Sequence, residues 1–392
     1  MPWKETCAMD ERLQFIAAHL KREYSVSELC RHFGISRPTA YKWIERYEHC
    51  GPEGFLERNR APKHHPNETP AALQAELIAL RQRHPKWGPR KLLVLLHRAQ
   101  PEVRWPAVRT AGDILKRHGL TQARRYRRST PSPDRPLYAA SRPNDVWAAD
   151  FKGWFRTGDG DRVDPLTISD WVSRYLLGCQ GLQRPVFEQV QPQFKRSFRQ
   201  YGLPWAIRTD NGPPFATTGL GGLSRLSIWW IRLGIKPERI RPAHPEDNGR
   251  HERMHKTLKE SAAQPPKATA EAQQSAFDQF RQEYNEFRPH EGLGMQTPSE
   301  CYRRSNREFP ERLPELEYGL EYKIRRVRSN GQIKWAGEKI FLSESLIGEL
   351  VGLKPIDNDA WSIHFGPVPL ATYHAFTRSI HRWGHYDPTQ KV

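Results

Sequence analysis

The chain has 392 residues with 37% apolar content, 13 Trp, 13 Tyr and 16 Phe, too long for one domain of roughly 150 residues and too aromatic for wholesale disorder. A net charge of +18 favours a polyanionic partner, nucleic acid above all, over a merely solvated surface, where the signs mix more evenly. No run approaches the roughly 20 apolar residues of a membrane span, and MPWKETCAMDERLQF lacks the apolar centre of a signal peptide, so the expectation is a soluble cytoplasmic protein with no membrane partner.

The five cysteines, Cys7, Cys30, Cys50, Cys179 and Cys301, are scattered without a CxxC pair, which argues against a disulfide framework or a cysteine zinc knuckle. Residues 1–60 read as a helix-turn-helix DNA-binding domain. A helix around Leu13, Ile16, Ala17 and Leu20 comes first. Ser27 is the expected cap of a short second helix carrying Leu29 and Phe33, with Glu28 in its first turn, and Gly34 supplies the turn. Ser36 caps a third helix, whose Ala40, Trp43, Ile44 and Tyr47 recur at intervals of three and four. In such a motif the capped helix enters the major groove by its N-terminal end. Arg37, Thr39, Tyr41 and Lys42 are therefore candidate DNA contacts; an ordinary helical hairpin is the alternative.

NRAPKHHPNETP reads as a linker, His64 and His65 included. Residues 68–125 repeat the theme: an amphipathic helix with Leu73, Leu77 and Leu80, then KWGPRKLLVLLHRA, then a helix from about Pro106 through Leu115 that stops at Gly119. This is a second helix-turn-helix-like unit, with Arg109 as a candidate DNA contact. Residues 126–143 form a basic linker. The stretch TQARRYRRSTPSPDRP leading into it holds Arg124, Arg125, Arg127 and Arg128, suited to lying along a phosphate backbone or simply to solvation.

From residue 144 the periodicity changes. VWAADFKGWF, VDPLTISD and SRYLLGCQ are strand-like, VFEQVQPQFKRSFRQYG is helical, and WAIRTDNG is a buried-type strand. Helices follow at LSRLSIWWIRLG, from about Glu246 to Lys259, and around 270–287. Residues 144–305 are thus a mixed α/β domain, with Trp229 and Trp230 expected in its core. Residues 318–392 read as a small all-β module, barrel-like, with hairpins at an Asn-Gly and at a Gly turn. Arg325, Arg326 and Arg328 there offer either a further DNA surface or a solvated edge strand.

Acidic residues interrupt this apolar pattern. Asp150 breaks WAADF, and Asp210 ends AIRTD and opens the turn DNG. A carboxylate at such a place is costly unless it is paired or binds a cation. Glu252 lies on the helix PEDNGRHERMHKTLK and shares a polar face with Asn248 and Lys256. Two strands and a helix could thus contribute an all-oxygen set suited to Mg²⁺ or Mn²⁺. Two ions about 3.5–4 Å apart would serve an in-line phosphoryl displacement. Taken singly, each acid is a turn former, helix cap or surface charge, and Asp210 has an obvious turn role with Asn211 and Gly212. Asp170 in ISDWVSRY reads as a turn residue or a support behind the ligands, with a ligand role as the lesser alternative. Lys256 and Lys259 hold DNA phosphates or form an exposed basic face. His244 and His251 flank Glu252; they are expected to contact backbone or phosphate, since two-ion sites need no histidine base, with proton transfer as the alternative for either.

WAADFKGWF, RTDNGPPF and HPEDNGRHERMHKTLK, in that order, resemble the three acidic motifs of the DDE transposase and retroviral-type integrase superfamily, most closely bacterial insertion-sequence transposases. KWGPRKL and YGLP add to the likeness, which covers roughly residues 10–305. The resemblance implies a multidomain protein of α-helical helix-turn-helix units and an RNase H-like α/β catalytic core, followed here by the all-β module. It implies Asp150, Asp210 and Glu252 as catalytic ligands of two ions, Asp150 bridging both. It further implies 3′-end cleavage at the element ends, strand transfer into target DNA, and a homo-oligomer on DNA in the bacterial nucleoid. The acids are separated by 60 and 42 residues. The second interval is longer than is usual in the superfamily, and TTGLGGLSRLS is expected to absorb the excess. A His/Cys finger is absent from the pattern. A non-catalytic helix-turn-helix regulator and a plain metal-dependent nuclease of the same fold are the competing readings.

Overall fold

The computed structural model describes residues 7–57, 68–121, 139–240 and 249–383. The chain divides into two compact units, one up to Pro70 and one from Ala71 onward. In the first, α1 (Ala8–Leu20), α2 (Val26–His32) and α3 (Arg37–Cys50) enclose Phe15, Ile16, Leu29, Cys30, Ala40, Trp43, Ile44 and Phe55. The cap of α2 is Ser25, not Ser27. Ser25 N–H donates to Glu28 Oε2 at 2.8 Å while its hydroxyl accepts from Glu28 N–H. The reason is reciprocity: Ser25 has a glutamate three residues on to return the bond, whereas Ser27 would face Cys30. Gly34, at φ +65°, makes the turn into α3, and Ser36 caps that helix.

The second unit opens with α4 (Ala71–Arg83), α5 (Pro89–Ala99) and α6 (Val108–Arg117), closed around Leu77, Trp87, Leu92, Leu96, Trp105, Ile114 and Leu115. Here α6 starts at Val108, leaving Pro106 just outside it. Its end is sealed by Gly119 at φ +69° and the Leu120 N–H to Leu115 carbonyl bond of 2.8 Å.

A six-stranded mixed sheet follows, made of β1 (Val146–Phe151), β2 (Phe155–Arg156), β3 (Arg162–Asp170), β4 (Leu176–Leu182), β5 (Ala206–Thr209) and β6 (Lys236–Arg239). Its order is β2-β3-β1-β5-β6, with β4 on β3. The antiparallel part is β2, β4, β3 and β1; β5 and β6 join in parallel. Residues alternate faces along the strands. Trp147, Ala149, Leu166 and Ile168 bury against α7 (Phe187–Tyr201) and α8 (Arg225–Arg232). The other face is covered by α9 (Gly249–Leu258), which continues as a π-turn to Ala263, and α10 (Ala270–Gln282), which does the same to Phe287. Trp229 and Trp230 are buried as expected, Trp230 completely. The strand β6, sequence KPER, was not expected; it carries a proline, which an edge strand tolerates.

The C-terminal strands are β7 (Lys323–Arg326), β8 (Gln332–Trp335), β9 (Glu338–Phe341), β10 (Leu350–Pro355), β11 (Ala360–Phe365), β12 (Val368–His374) and β13 (Ser379–Arg382). The Gly366 hairpin joins β11 to β12 as expected. The Asn330–Gly331 turn does not make a hairpin: β7 pairs with β10, and β8 pairs with β9 across Ala336 and Gly337, both at positive φ. The expected TTGLGGLSRLS spacer is structural. Leu220 and Leu223 from it, with Ile228 and Ile231 of α8, enter one apolar cluster with Val351, Leu353, Ile363, Phe365 and Leu370 of the β module. This explains why α8 is apolar on two sides. Among the described residues no helix is long and apolar enough to cross a membrane.

Candidate active site

Asp150 lies on β1 and Asp210 immediately follows β5. The two strands pair in parallel with Val146 opposite Ala206 and Ala148 opposite Arg208, an offset of 60 that, continued by two residues, sets Asp150 beside Asp210. Neighbouring strands are about 4.8 Å apart. The interval between the first two acids is therefore the register of a parallel strand pair. Both side chains stand on the face covered by α9, whose first turn carries Glu252. Asp210 Oδ1 accepts from Gly212 N–H at 3.2 Å and Asn211 Nδ2 donates to the Ile240 carbonyl at 2.8 Å, so the turn role and the site position coincide.

The electrostatics are those of crowded acids. Burial, then the charge of Asp210, pushes the Asp150 carboxyl up to about 7; Phe151 N–H and Lys152 oppose this and Glu252 adds to it. Burial also raises Asp210. Glu252 is exposed at the rim of the same site.

The sequence reading missed what lies beneath. His251 and His255 are four residues apart on α9 and point into the sheet, both buried; the i, i+4 spacing was the available signal. Their Nε2 atoms lie 2.7 and 2.6 Å from Thr167 Oγ1, which also donates to the Asp150 carbonyl at 3.1 Å. A hydroxyl that gives its one proton to a carbonyl can only accept elsewhere. Both histidines thus carry their protons on Nε2, leaving Nδ1 as acceptors. His251 Nδ1 faces Ser169 Oγ at 3.0 Å. His255 Nδ1 faces Asp150 Oδ2 at 3.7 Å, a favourable meeting only while Asp150 holds a proton or a cation stands nearby. Burial holds His251 at about 3 and His255 at about 2, the latter helped by His251 and Lys152. Both rings are neutral, so His251 contacts side chains of β3 and not the expected backbone or phosphate. Replacing Thr167 with Val strands two buried N–H donors and is expected to cost about 2–3 kcal/mol in urea unfolding; Thr167→Ser should recover most of it.

Among the described residues the one set of three potential ligand groups gathered within 4.8 Å is Asp150, His251 and His255; Asp210 and Glu252 lie at its edge and bear on Asp150 electrostatically. The donor chemistry fits a divalent cation, since a carboxyl driven towards neutrality by burial first, and then by the charges of Asp210 and Glu252, is relieved by positive charge. Asp170 is a turn residue: fully buried, it accepts from Asn144 N–H at 2.6 Å and from the N–H and hydroxyl of Ser173 at 2.7 and 2.6 Å.

Of the proposed DNA contacts, Arg37, Tyr41, Lys42, Arg109, Lys256 and Lys259 are exposed. The Lys42 ammonium lies 4.8 Å over the Trp43 ring. Thr39 is half-buried with its hydroxyl 2.9 Å from Ser36 Oγ, inside the helix cap. Arg124, Arg125, Arg127 and Arg128 lie outside the described residues, as do His64, His65, His244 and Asn248. Arg325 and Arg326 are exposed on β7, the edge of the five-stranded sheet; Arg325 lies 5.0 Å over Trp335 and Arg326 donates to the Gly348 carbonyl. Arg328 is exposed beyond it.

Matches to known families fall on the helical units and on the sheet core. The integrase core domain family matches residues 140–245 and again 233–298. A helix-turn-helix domain matches 11–63 and a homeodomain-like domain 39–115. The 39.2 kDa protein of insertion element IS476 from Xanthomonas euvesicatoria is 30% identical over 246 residues, 61% of this chain and 67% of that one. The 31.7 kDa protein of insertion element IS407 from Burkholderia multivorans is 27% identical over 291 residues, 72% and 92% of the two chains. Among solved structures, the HTLV-2 integrase catalytic core domain in complex with magnesium is 16% identical, with a TM-score of 0.33 over 41% of this chain and 98% of its own. The chain, with its helix-turn-helix units, RNase H-like mixed-sheet core and C-terminal β module, belongs to the integrase-core family of bacterial insertion-sequence transposases, which act in DNA transposition.

Proposed function

We propose that the chain is a DDE transposase that binds its element's ends, cleaves them to leave a 3′-OH and joins that hydroxyl to target DNA, with Asp150, Asp210 and Glu252 as the metal-holding catalytic residues. The observation that carries this reading is the in-register pairing of β1 with β5, two residues short of Asp150 and Asp210, under the helix that bears Glu252. Bound Mg²⁺ or Mn²⁺, two ions, would activate the attacking oxygen and stabilise the departing one. Asp150, Asp210 and Glu252 would be the residues that hold them. The carbonyl of Asp150 is held by Thr167, which in turn is held by His251 and His255, so the stretch of β1 that carries the carboxylate is anchored to β3 and α9.

The helix-turn-helix units, proposed as 1–60 and 68–125 with the basic linker 126–143, would carry the double-stranded ends to a core spanning 144–305 and a β module spanning 318–392. Joining two ends calls for a homo-oligomer on the DNA, in the bacterial cytoplasm at the nucleoid. The test uses labelled duplexes bearing the ends of the element that encodes the chain, a plasmid target and Mg²⁺. Joined product is expected. Cleavage without joining would point to a nuclease, and binding without either product to a regulator.

The N-terminal reading has its own test. Arg37 stands exposed at the first position of α3. Arg37→Ala is expected to weaken binding to end DNA by about 1–3 kcal/mol, without weakening binding to unrelated DNA, if it reads a base edge. Equal losses on both, in a gel-shift titration, would make it a phosphate contact.

A further inference from the structure

Four cationic side chains converge where the α4–α6 helices meet the sheet core. Lys91 comes from the first turn of α5, Arg174 from the turn between β3 and β4, Arg253 from α9 next to Glu252, and Arg288 from just past the π-turn that extends α10. The Arg288 guanidinium lies 5.8 Å over Trp87 and 6.0 Å over Tyr284. That of Arg174 is seated directly on Gly292, where a Cβ would collide with it. Among the described residues, none of the four side chains has a hydrogen bond or a carboxylate partner within ion-pair distance. Arg174 Nε is buried with no partner, and so is Nε2 of His290, a residue only 5% exposed.

Burial and the charge of Arg288 bring Lys91 down to about 8; Arg174 and Arg253 contribute and Glu291 opposes them. Burial, then Arg288, Lys91 and Arg174, hold His290 at about 3. The cleft of about 1150 Å³ in front of Lys91 is lined further by Arg81, Lys86 and Arg90, and Glu291 is the one acid among its described lining residues. Like charges gathered at partial burial repel one another, and a bound anion relieves that repulsion while every group keeps its charge.

We propose that Lys91, Arg174, Arg253 and Arg288 form the seat of a backbone phosphate of the DNA strand that runs to the candidate active site, fixing that strand against both the second helical unit and the core. The inference rests on the reading that the core acts on DNA. A phosphodiester suits the seat because guanidinium groups present paired donors to phosphate oxygens, and because the helix that supplies Arg253 also carries Glu252, so that the seat and the proposed chemistry share one element.

The experiment measures affinity of the full-length chain for a labelled duplex of arbitrary sequence, about 30 base pairs, from about 50 to 200 mM salt. Lys91→Gln and Arg174→Gln are each expected to lower the slope of log K against log salt by up to about 0.9. Gly292→Ala, which keeps every charge but unseats Arg174, is expected to weaken binding as well. Without DNA, Lys91→Gln should melt at the wild-type temperature or above it, because a repulsion is removed. An unchanged slope overturns the proposal. So does a melting temperature lowered by several degrees, which would mean a structural lysine. Inorganic phosphate that raises the wild-type melting temperature, with no effect of these variants on DNA binding, would make this a small-anion site and not a DNA seat. If Asp210→Asn abolishes cleavage while the Lys91→Gln slope is unchanged, this proposal fails alone. If wild-type protein cleaves nothing but the slope falls, the active-site reading fails alone.

Discussion

Asp210→Asn is expected to lower metal-dependent cleavage of end DNA by roughly 10³-fold or more while leaving DNA binding intact. The change keeps the size of the side chain and its acceptor for the Gly212 N–H, so the turn that closes β5 survives. What disappears is one negative charge next to Asp150. Cation-assisted phosphoryl transfer draws several kcal/mol from charge held in place, and each 1.36 kcal/mol is a factor of ten in rate. Binding should persist, or tighten slightly, because an acid is removed from a surface that must approach phosphate. A single-turnover assay with labelled ends, run beside a gel shift, separates the two quantities. Cleavage within about tenfold of wild type would remove Asp210 from the chemistry, and lost binding would make it a structural residue.

Much of this site is legible in the sequence because strands and turns leave local marks. Asp150 is conspicuous as a charge inside WAADF, and Asp210 as the residue that ends an apolar run and opens DNG. Their separation becomes meaningful only with the β1–β5 register, a long-range fact that no local pattern contains. The same limit applies to β6: KPER has no alternation and includes a proline, so only its neighbour β5 reveals it as a strand. Ser25 and Ser27 both have the chemistry of a helix cap, and Ser25 takes the role because Glu28, three residues on, returns the bond. Asn330–Gly331 carries the chemistry of a hairpin turn, yet β10 takes β7 from the far side of the chain, and tertiary pairing overrides the local signal.

Hidden polar networks are harder still. Nothing near Thr167 announces that its hydroxyl gathers two histidines from α9 and the carbonyl of Asp150. Similarly, Lys91, Arg174, Arg253 and Arg288 come from four separate elements, and each alone is an ordinary basic residue. Charge composition shows the excess of positive residues but not where it concentrates. The glycines of TTGLGGLSRLS read as slack, whereas Leu220 and Leu223 between and beside them bind the core to the β module. In each case the missing information is which surfaces meet, and that is set by packing across the chain.

Asp150→Asn is expected to stabilise the cation-free protein at pH 8 by on the order of 3 kcal/mol and to leave it nearly unchanged at pH 4. In the folded chain the Asp150 carboxyl is raised from 3.8 to about 7, first by burial and then by Asp210; in the unfolded chain it returns to about 3.9. The folded state therefore holds the proton more tightly, and stability falls as pH rises from about 4 to about 7, remaining low above that. A shift of this size corresponds to roughly 4 kcal/mol, lessened because the side chain retains 21% exposure. Asparagine cannot ionise, so its variant escapes the loss. Added Mg²⁺ should reverse the ranking at pH 8, since a cation that binds only the folded site stabilises by mass action and the neutral amide is a poorer ligand. Urea unfolding with EDTA and with Mg²⁺ at several pH values measures both arms. Parallel pH profiles for the two proteins in EDTA would mean that Asp150 is not held among uncompensated acids, and a rise with Mg²⁺ as large in the variant as in wild type would mean that the cation is bound elsewhere.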